Sequence, residues 1–234
     1  MNNIENFEKI LNYKFKDKRL LITALTHSSY ANECSIKNCE SYERLEFLGD
    51  SVLGLVTSEY IFSKFKNLHE GKLTRIRAYL VCEKTLKNFA NELKIGDFLR
   101  LSHGEERTGG RHRPSILADA FESVVASLFL DGGMDVAKEF ILKFISSEVD
   151  NAQEMIYDYK TEIQEFLQSM HKNEINYTVI DSYGPDHAKT FTVQVELQGI
   201  PYGQGIARSK KEAEQLAAKS AMEKLISKKN SKNN

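Results

Sequence analysis

Five carboxylates stand at spacings that place them on the faces of two helices. The first helix is expected in Glu43-Arg44-Leu45-Glu46-Phe47-Leu48-Gly49-Asp50-Ser51-Val52-Leu53-Gly54-Leu55-Val56. About 100° of rotation per residue gathers Glu43, Glu46 and Asp50 within roughly 60° of one another. Leu45, Leu48, Val52, Leu55 and Val56 fall on the opposite arc, which reads as core. The second helix is expected around Asp119-Ala120-Phe121-Glu122-Ser123-Val124-Val125-Ala126. Asp119 and Glu122 are three apart and share a face, with Phe121, Val124, Val125 and Leu128 opposite. Ser123 and Ala126 flank the acids as small residues that let another backbone come close. An acidic face alone reads as solvated surface. These helices are otherwise very apolar, and clustered carboxylates in a low dielectric repel and protonate unless a cation compensates them. Oxygen ligands without His or Cys suit Mg²⁺ or Mn²⁺, not zinc. Spacing leaves open whether the two helices meet. Phe47 sits on the acid side, off the core stripe. It suits either a partner surface or a place beneath a loop.

A second set of residues is of a kind that binds a ligand. A helix from Asp158 carries Ile163, Phe166, Leu167 and Met170 on one face and Thr161, Gln164, Glu165 and Gln168 on the other. Hydroxyl, amide and carboxylate groups there suit 2′-hydroxyls and base edges in a wide minor groove, or simply water. Gly184-Pro185-Asp186-His187-Ala188-Lys189-Thr190-Phe191 is a turn that presents His187 and Lys189. Ser209-Lys210-Lys211-Glu212 reads as a capping box opening a last, alanine-rich helix. Lys210 and Lys211 then sit where the helix dipole is already positive. A phosphate docked there resolves that conflict.

The elements that position these groups fall into two blocks. Helical periodicity runs to about Val149, and the chain turns polar from Ser146 to Gln153. The expected division is an all-helical domain over 1–150, a linker over 151–156, a small domain over 157–227 and a disordered basic tail over 228–234. In the small domain Phe191, Val193, Val195 and Leu197 alternate as a half-buried strand. Tyr177–Asp181 and Tyr202–Ile206 are expected as its neighbours, with turns at Gly184-Pro185-Asp186 and Gly199-Ile200-Pro201. The order is helix, three strands, helix.

The bulk composition narrows the class. The chain has 234 residues, 41% apolar and 28% charged, with a net charge of −1. That is a globular composition with enough chain for two domains. Charge is uneven: from Ala207 onward eight Lys or Arg face three Glu. Met1–Phe15 does not read as a signal peptide. The apolar run Ile116–Leu130 is broken by Asp119 and Glu122, too short and charged for a membrane span. Cys34, Cys39 and Cys82 have no zinc-like spacing and read as reduced thiols of a cytosolic protein.

The segment Glu43-Arg44-Leu45-Glu46-Phe47-Leu48-Gly49-Asp50-Ser51 resembles the signature of the bacterial ribonuclease III family. Ala24-Leu25-Thr26-His27-Ser28-Ser29-Tyr30, Glu70-Gly71-Lys72-Leu73-Thr74 and Ile116-Leu117-Ala118-Asp119-Ala120-Phe121-Glu122 follow in the family's order. The second block resembles the double-stranded-RNA-binding domain, so the resemblance covers nearly the whole chain. One departure is Tyr42, where the family usually carries Asn.

The resemblance implies a multi-domain fold: an all-α catalytic domain followed by a small α+β domain of order α-β-β-β-α. It implies a metal-dependent endonuclease that cuts double-stranded RNA, leaving 5′ phosphate and 3′ hydroxyl ends with a short 3′ overhang. Glu46, Asp50, Asp119 and Glu122 would be the metal ligands, with Asp50 and Glu122 catalytic. Glu43 and Glu70 would be supporting acids, and Phe47 would enter the interface of a homodimer. Thr161, Gln164, Glu165, His187, Lys189, Lys210 and Lys211 would bind RNA by its A-form shape. Mg²⁺ is the implied cofactor, with Mn²⁺ able to substitute. Ribosomal RNA precursors and some messenger and transfer RNA are the implied substrates, in the cytoplasm, with no membrane partner. His27 gets no catalytic role. The competing reading is a non-cleaving binder of double-stranded RNA, which should have lost one of the four acids.

Overall fold

The computed structural model describes residues 2–34, 39–156, 158–169, 174–185 and 188–230. The chain divides into two compact units, Met1–Ile156 and Tyr157–Asn234. The first contains the helices α1 (Asn2–Leu11), α2 (Lys18–Ala24), α3 (Ser28–Glu33), α4 (Glu43–Lys64), α5 (Glu70–Leu80), α6 (Glu83–Glu92), α7 (Ile95–Phe98), α8 (His103–Arg107), α9 (Pro114–Gly132) and α10 (Met134–Ile156). Among the described residues none of the helices is long and apolar enough to cross a membrane.

Helix α9 is the centre of this unit. Pro114 opens it, where a missing N–H costs nothing, and Gly133 ends it at φ +85°. Its buried residues include Phe121, Val124, Val125 and Leu128. A helix apolar nearly all round must be surrounded, and α4, α6, α10 and α2 pack around it. The rings of Phe89, Phe121, Phe140 and Phe144 form one cluster, with neighbouring centroids 5.2 to 5.7 Å apart. The closest approach is to α4. A Cβ at Gly49 would fall onto the Glu122 carbonyl, 2.5 Å from its carbon. Only glycine lets the two backbones come that near.

Two features of the first unit differ from the reading of the sequence, and a third settles a stretch it left open. Leu55 is 60% exposed rather than core. The buried arc of α4 runs through Leu45, Gly49, Val52, Leu53 and Val56, and about 100° per residue carries Leu55 more than a quarter turn off its centre. Residues 151–156, expected as a linker, are the end of α10, with Ala152 fully buried. Asn-Ala-Gln-Glu-Met-Ile is polar at its start but holds no Gly or Pro, so nothing stops the helix. The stretch Leu101–Pro114, whose structure the sequence leaves open, is ordered into α8 and a 3₁₀ turn at Gly110–His112. Ser102 caps α8 through the Glu105 amide at 3.1 Å, and the Arg111 guanidinium donates to the carbonyls of Gly96 and Leu99 at 2.8 Å.

The second unit is α11 (Tyr159–Ser169), β1 (Ile175–Tyr183), β2 (Thr190–Leu197), β3 (Ile200–Ala207) and α12 (Lys210–Asn230). The strands form an antiparallel sheet in the order β1-β2-β3. The β2–β3 turn is Gln198-Gly199, both at positive φ, one residue earlier than read from sequence. Pro201 lies on edge strand β3, next to the register shift of β2 at Val195/Glu196. Val193, Val195 and Leu197 bury one face against Ile163, Leu167 and the α12 alanines Ala213, Ala217, Ala218 and Ala221. Gly203 faces the Ala221 backbone, 2.7 Å from where its Cβ would be, so small residues on both sides bring helix and strand together. Helix α12 also takes in 228–230 of the expected disordered tail; residues 231–234 lie outside the described residues.

Candidate active site

The contact between α4 and α9 brings the two acidic faces together. Glu46, Asp119 and Glu122 each offer a carboxylate oxygen within 4.8 Å of the others, all three half-buried. Asp50, exposed one turn further along α4, is not part of that group but acts electrostatically on Glu46 and Glu122. Burial first, then the carboxylates of Asp50, Asp119 and Glu46, push Glu122 up to about 8. Burial and the acids Asp119, Glu43 and Asp50 raise Glu46 as well. Asp119 is raised by burial and by Glu83, against the pull of a Tyr42 hydrogen bond and of His27. Like charges held together in a low dielectric keep a proton or take up a cation. The donor set is oxygen alone, so it fits a hard divalent cation.

Glu43 and Glu70 are not among the three converging carboxylates. Glu43 is exposed at the start of α4, where it accepts from Ser41 Oγ at 3.1 Å. Glu70 opens α5 and accepts from Thr74 Oγ1 at 2.9 Å. It lines a groove of about 500 Å³ with Leu55, Phe62 and Leu73. Phe47 is 78% exposed, and Leu55 and Phe62 continue its apolar stripe along the outside of α4.

Two residues behind the acids have no role that motif or spacing assigns. Tyr42 is 2% exposed, and its N–H donates to the Thr26 carbonyl at 2.8 Å. Burial and the carboxylates of Asp119, Glu46 and Glu43 push its hydroxyl far up, so it stays a donor. His27 caps α3, its Nδ1 accepting the Ser29 N–H at 3.1 Å, and its ring stands edge-on to Tyr42 at 5.6 Å. A position departing from a family motif immediately before the acidic helix is the signal the sequence offers for Tyr42.

In the second unit Thr161, Gln164 and Glu165 lie on α11, all three exposed. Lys189 and Lys210 converge on one ring, their Nζ atoms 5.9 and 5.7 Å from the Phe191 centroid. From sequence Phe191 reads only as a strand residue. Ser209 caps α12 through the Glu212 amide at 3.2 Å, and Lys211 is exposed at that end. His187 lies outside the described residues.

A Ribonuclease-III-like family profile matches residues 17–149, and a double-stranded RNA binding motif matches 159–225. Ribonuclease 3 of Caldanaerobacter subterraneus subsp. tengcongensis is 49% identical over 220 residues, covering 93% of this chain and 96% of that protein. The chain belongs to the ribonuclease III family. Ribonuclease 3 of Clostridium perfringens is 46% identical over 225 residues, covering 95% of this chain and 94% of that protein. The nuclease domain of ribonuclease III from Campylobacter jejuni is 47% identical, with a TM-score of 0.57 over 62% of this chain and 96% of that one. This ribonuclease III is therefore a double-stranded-RNA endonuclease, its helical unit the nuclease and its α-β-β-β-α unit the RNA-binding domain. The family is metal-dependent, and among the described residues the acidic cluster of α4 and α9 is the group able to hold a metal.

The raised Glu122 has a consequence for stability. Its ordinary value is 4.5, so from about 4.5 to about 8 the folded protein holds a proton that the unfolded chain gives up. Stability then falls as pH rises through that window. A divalent cation takes the proton's place, so Mg²⁺ should raise the melting temperature more at about pH 8.5 than at about pH 6. Equal stabilisation at both would show that the cation does not compete with this proton. Scanning calorimetry with Mg²⁺ or EDTA reads the difference.

Proposed function

We propose that this ribonuclease III hydrolyses double-stranded RNA with Mg²⁺, for which Mn²⁺ substitutes, leaving 5′ phosphate and 3′ hydroxyl ends with a short 3′ overhang. The observation that carries this is the convergence of Glu46, Asp119 and Glu122 within 4.8 Å, with the charge of Asp50 acting on Glu46 and Glu122. Glu46, Asp50, Asp119 and Glu122 would hold the cation, with Asp50 and Glu122 nearest the chemistry. When bound, the cation supplies charge compensation and polarises the phosphodiester toward attack by water. The residues of the chain do the rest. Asp50, exposed at the mouth of the group, orients the attacking water. The half-buried acids keep a fixed negative site from which bulk water is partly excluded.

The apolar stripe of Phe47, Leu55 and Phe62 supports a homodimer, as exposed aromatics aligned along one helix suit a second copy. The Campylobacter jejuni structure concerns a region involved in dimer formation of that nuclease domain. Glu70 shares the groove that Leu55 and Phe62 border, so its supporting part is tied to that face. Glu43, exposed at the start of α4, supports contacts to substrate. Phe47→Ala should shift the sedimentation profile at low concentration toward monomer; an unaltered profile would remove Phe47 from the interface.

Thr161, Gln164 and Glu165 on the helix and His187 on the loop would meet successive minor grooves. Lys189, Lys210 and Lys211 would take phosphates, the first two held by the Phe191 ring. Lys210→Ala with Lys211→Ala should weaken duplex binding and lower the slope of log K against log salt by about 2, roughly one for each phosphate left without its lysine. An unchanged slope would show that these lysines do not meet phosphate. Ribosomal RNA precursors and some messenger and transfer RNA, in the cytoplasm, are the substrates this reading assigns. Mapping both ends of the products of an end-labelled duplex tests the reaction itself: 3′ phosphate ends, or blunt cuts, would refute the assigned chemistry.

A further inference from the structure

We propose that Gln215 and the Lys160–Glu214 ion pair are positioning residues: they set the spacing between α11 and the lysine end of α12, and so make the small unit select RNA duplex over DNA duplex. The inference rests on the reading of α11 and the start of α12 as RNA contacts. Asp158, Tyr159 and Lys160, where α11 begins, are each engaged by α12. Asp158 Oδ1 accepts from Gln215 Nε2 at 2.8 Å and from the Thr161 N–H at 3.1 Å. The same Gln215 side chain accepts the Lys160 N–H on its oxygen at 3.4 Å, so one amide holds both the cap and the first turn of α11. Lys219 Nζ stands 5.6 Å from the Tyr159 ring centroid. Lys160 Nζ pairs with Glu214 Oε2 at 2.7 Å and stands 4.5 Å from the ring centroid of Tyr177 on β1. Asp158, Lys160, Glu214 and Gln215 are all half-buried.

These contacts lie one helical turn from the groups assigned to RNA. Gln164 follows Lys160 by four residues, and Lys210 and Lys211 precede Glu214 and Gln215 by four. Lysines reach the phosphates of either kind of duplex. The face of α11 meets a minor groove only where its distance from those lysines matches the helix form, and that groove is wide and shallow in RNA but narrow in B-form DNA. The packing of the two helices is already supplied by Ile163, Leu167 and the α12 alanines. Partly exposed ion pairs and hydrogen bonds add little to stability. What directed polar contacts add to an apolar seam is register. A network that only stabilised the unit would, when lost, weaken RNA and DNA binding alike.

Gln215→Leu keeps the bulk of the side chain and removes both of its bonds. Lys160→Met keeps the stem over Tyr177 and removes the charge. In the full chain, with EDTA to stop cleavage, each should weaken RNA-duplex binding about tenfold. Binding of duplex DNA at low salt should match the parent, so the preference for RNA falls by the same factor. The slope of log K against log salt should stay parental, because no lysine assigned to phosphate is touched. Beside Thr161→Ala and Gln164→Ala, Gln215→Leu should add far less, since it acts through the placement of α11. A parental preference for RNA in both variants would overturn the proposal, as would RNA and DNA binding falling together. Thr161→Ala with Gln164→Ala binding RNA as the parent does would instead overturn the contact of α11 with RNA on which the inference rests.

Discussion

Glu122→Gln should abolish duplex cleavage, with a loss of about 1,000-fold or more, while binding of RNA duplex stays within about twofold. Gln keeps the shape of Glu but not its charge. The cation this carboxylate is proposed to hold would offer several kcal/mol of charge stabilisation, and about 4 kcal/mol corresponds to 1,000-fold in rate. The RNA-binding groups belong to a separate compact unit, so duplex affinity has no reason to follow. The same variant should have a second effect of opposite sign. Glu122 is pushed up to about 8 by burial and by Asp50, Asp119 and Glu46. Removing one charge from that group relieves the repulsion, so in EDTA the variant should be more stable than the parent at about pH 8.5. Its stability should also lose the decline between about 4.5 and 8. Cleavage at the parental rate would remove Glu122 from the metal set, and a parental pH dependence of stability would assign the repulsion elsewhere.

Gly49→Ala should lower the melting temperature of the helical unit by roughly 10 °C. The added methyl would lie 2.5 Å from the carbonyl carbon of Glu122 and closer still to its oxygen. Backbone, unlike the end of a side chain, cannot swing aside. Inserting one carbon into a tight contact costs up to about 3 kcal/mol. In a domain of this size each kcal/mol is worth about 2–4 °C. The loss of activity should exceed the loss of stability, because Glu46 and Glu122 sit on the two backbones being separated. Higher Mg²⁺ should restore part of the rate, since the acids are displaced and not removed. A melting temperature within a degree or two of the parent would contradict the close approach of α4 and α9.

The same contact separates what the sequence displays from what it hides. Acid faces are legible because helical rotation is constant, so Glu43, Glu46 and Asp50 align whatever the tertiary structure. Their meeting with Asp119 and Glu122 depends on a glycine in one helix against a carbonyl in another, which no spacing within either segment contains. Leu55 misleads because a leucine at the border of an apolar arc looks like core until the neighbouring helices are known. The end of α10 is hidden because polar residues mark a solvated helix end and a linker equally. Strands β1 to β3 are legible from alternation at Phe191 to Leu197 and from the glycines of the turns. The pairing of Lys189 and Lys210 on Phe191 is not, since Lys210 is distant in sequence and meets the other two only through the sheet. Tyr42 announces itself only as a departure from a motif. Its place just before the acidic helix is held by the bonds of its main chain to Thr26 and Ser123.

One assay tests the central claim most directly. The purified protein is incubated with a long perfect RNA duplex in Mg²⁺ and in EDTA, beside single-stranded RNA and duplex DNA, and the products are resolved on a denaturing gel. The four carboxylates of α4 and α9 and the RNA-binding unit together predict cutting of the RNA duplex alone, and only with the metal. Tight binding of that duplex without cutting, with Mn²⁺ as well as Mg²⁺, would contradict the account and leave a protein that holds double-stranded RNA but does not cleave it.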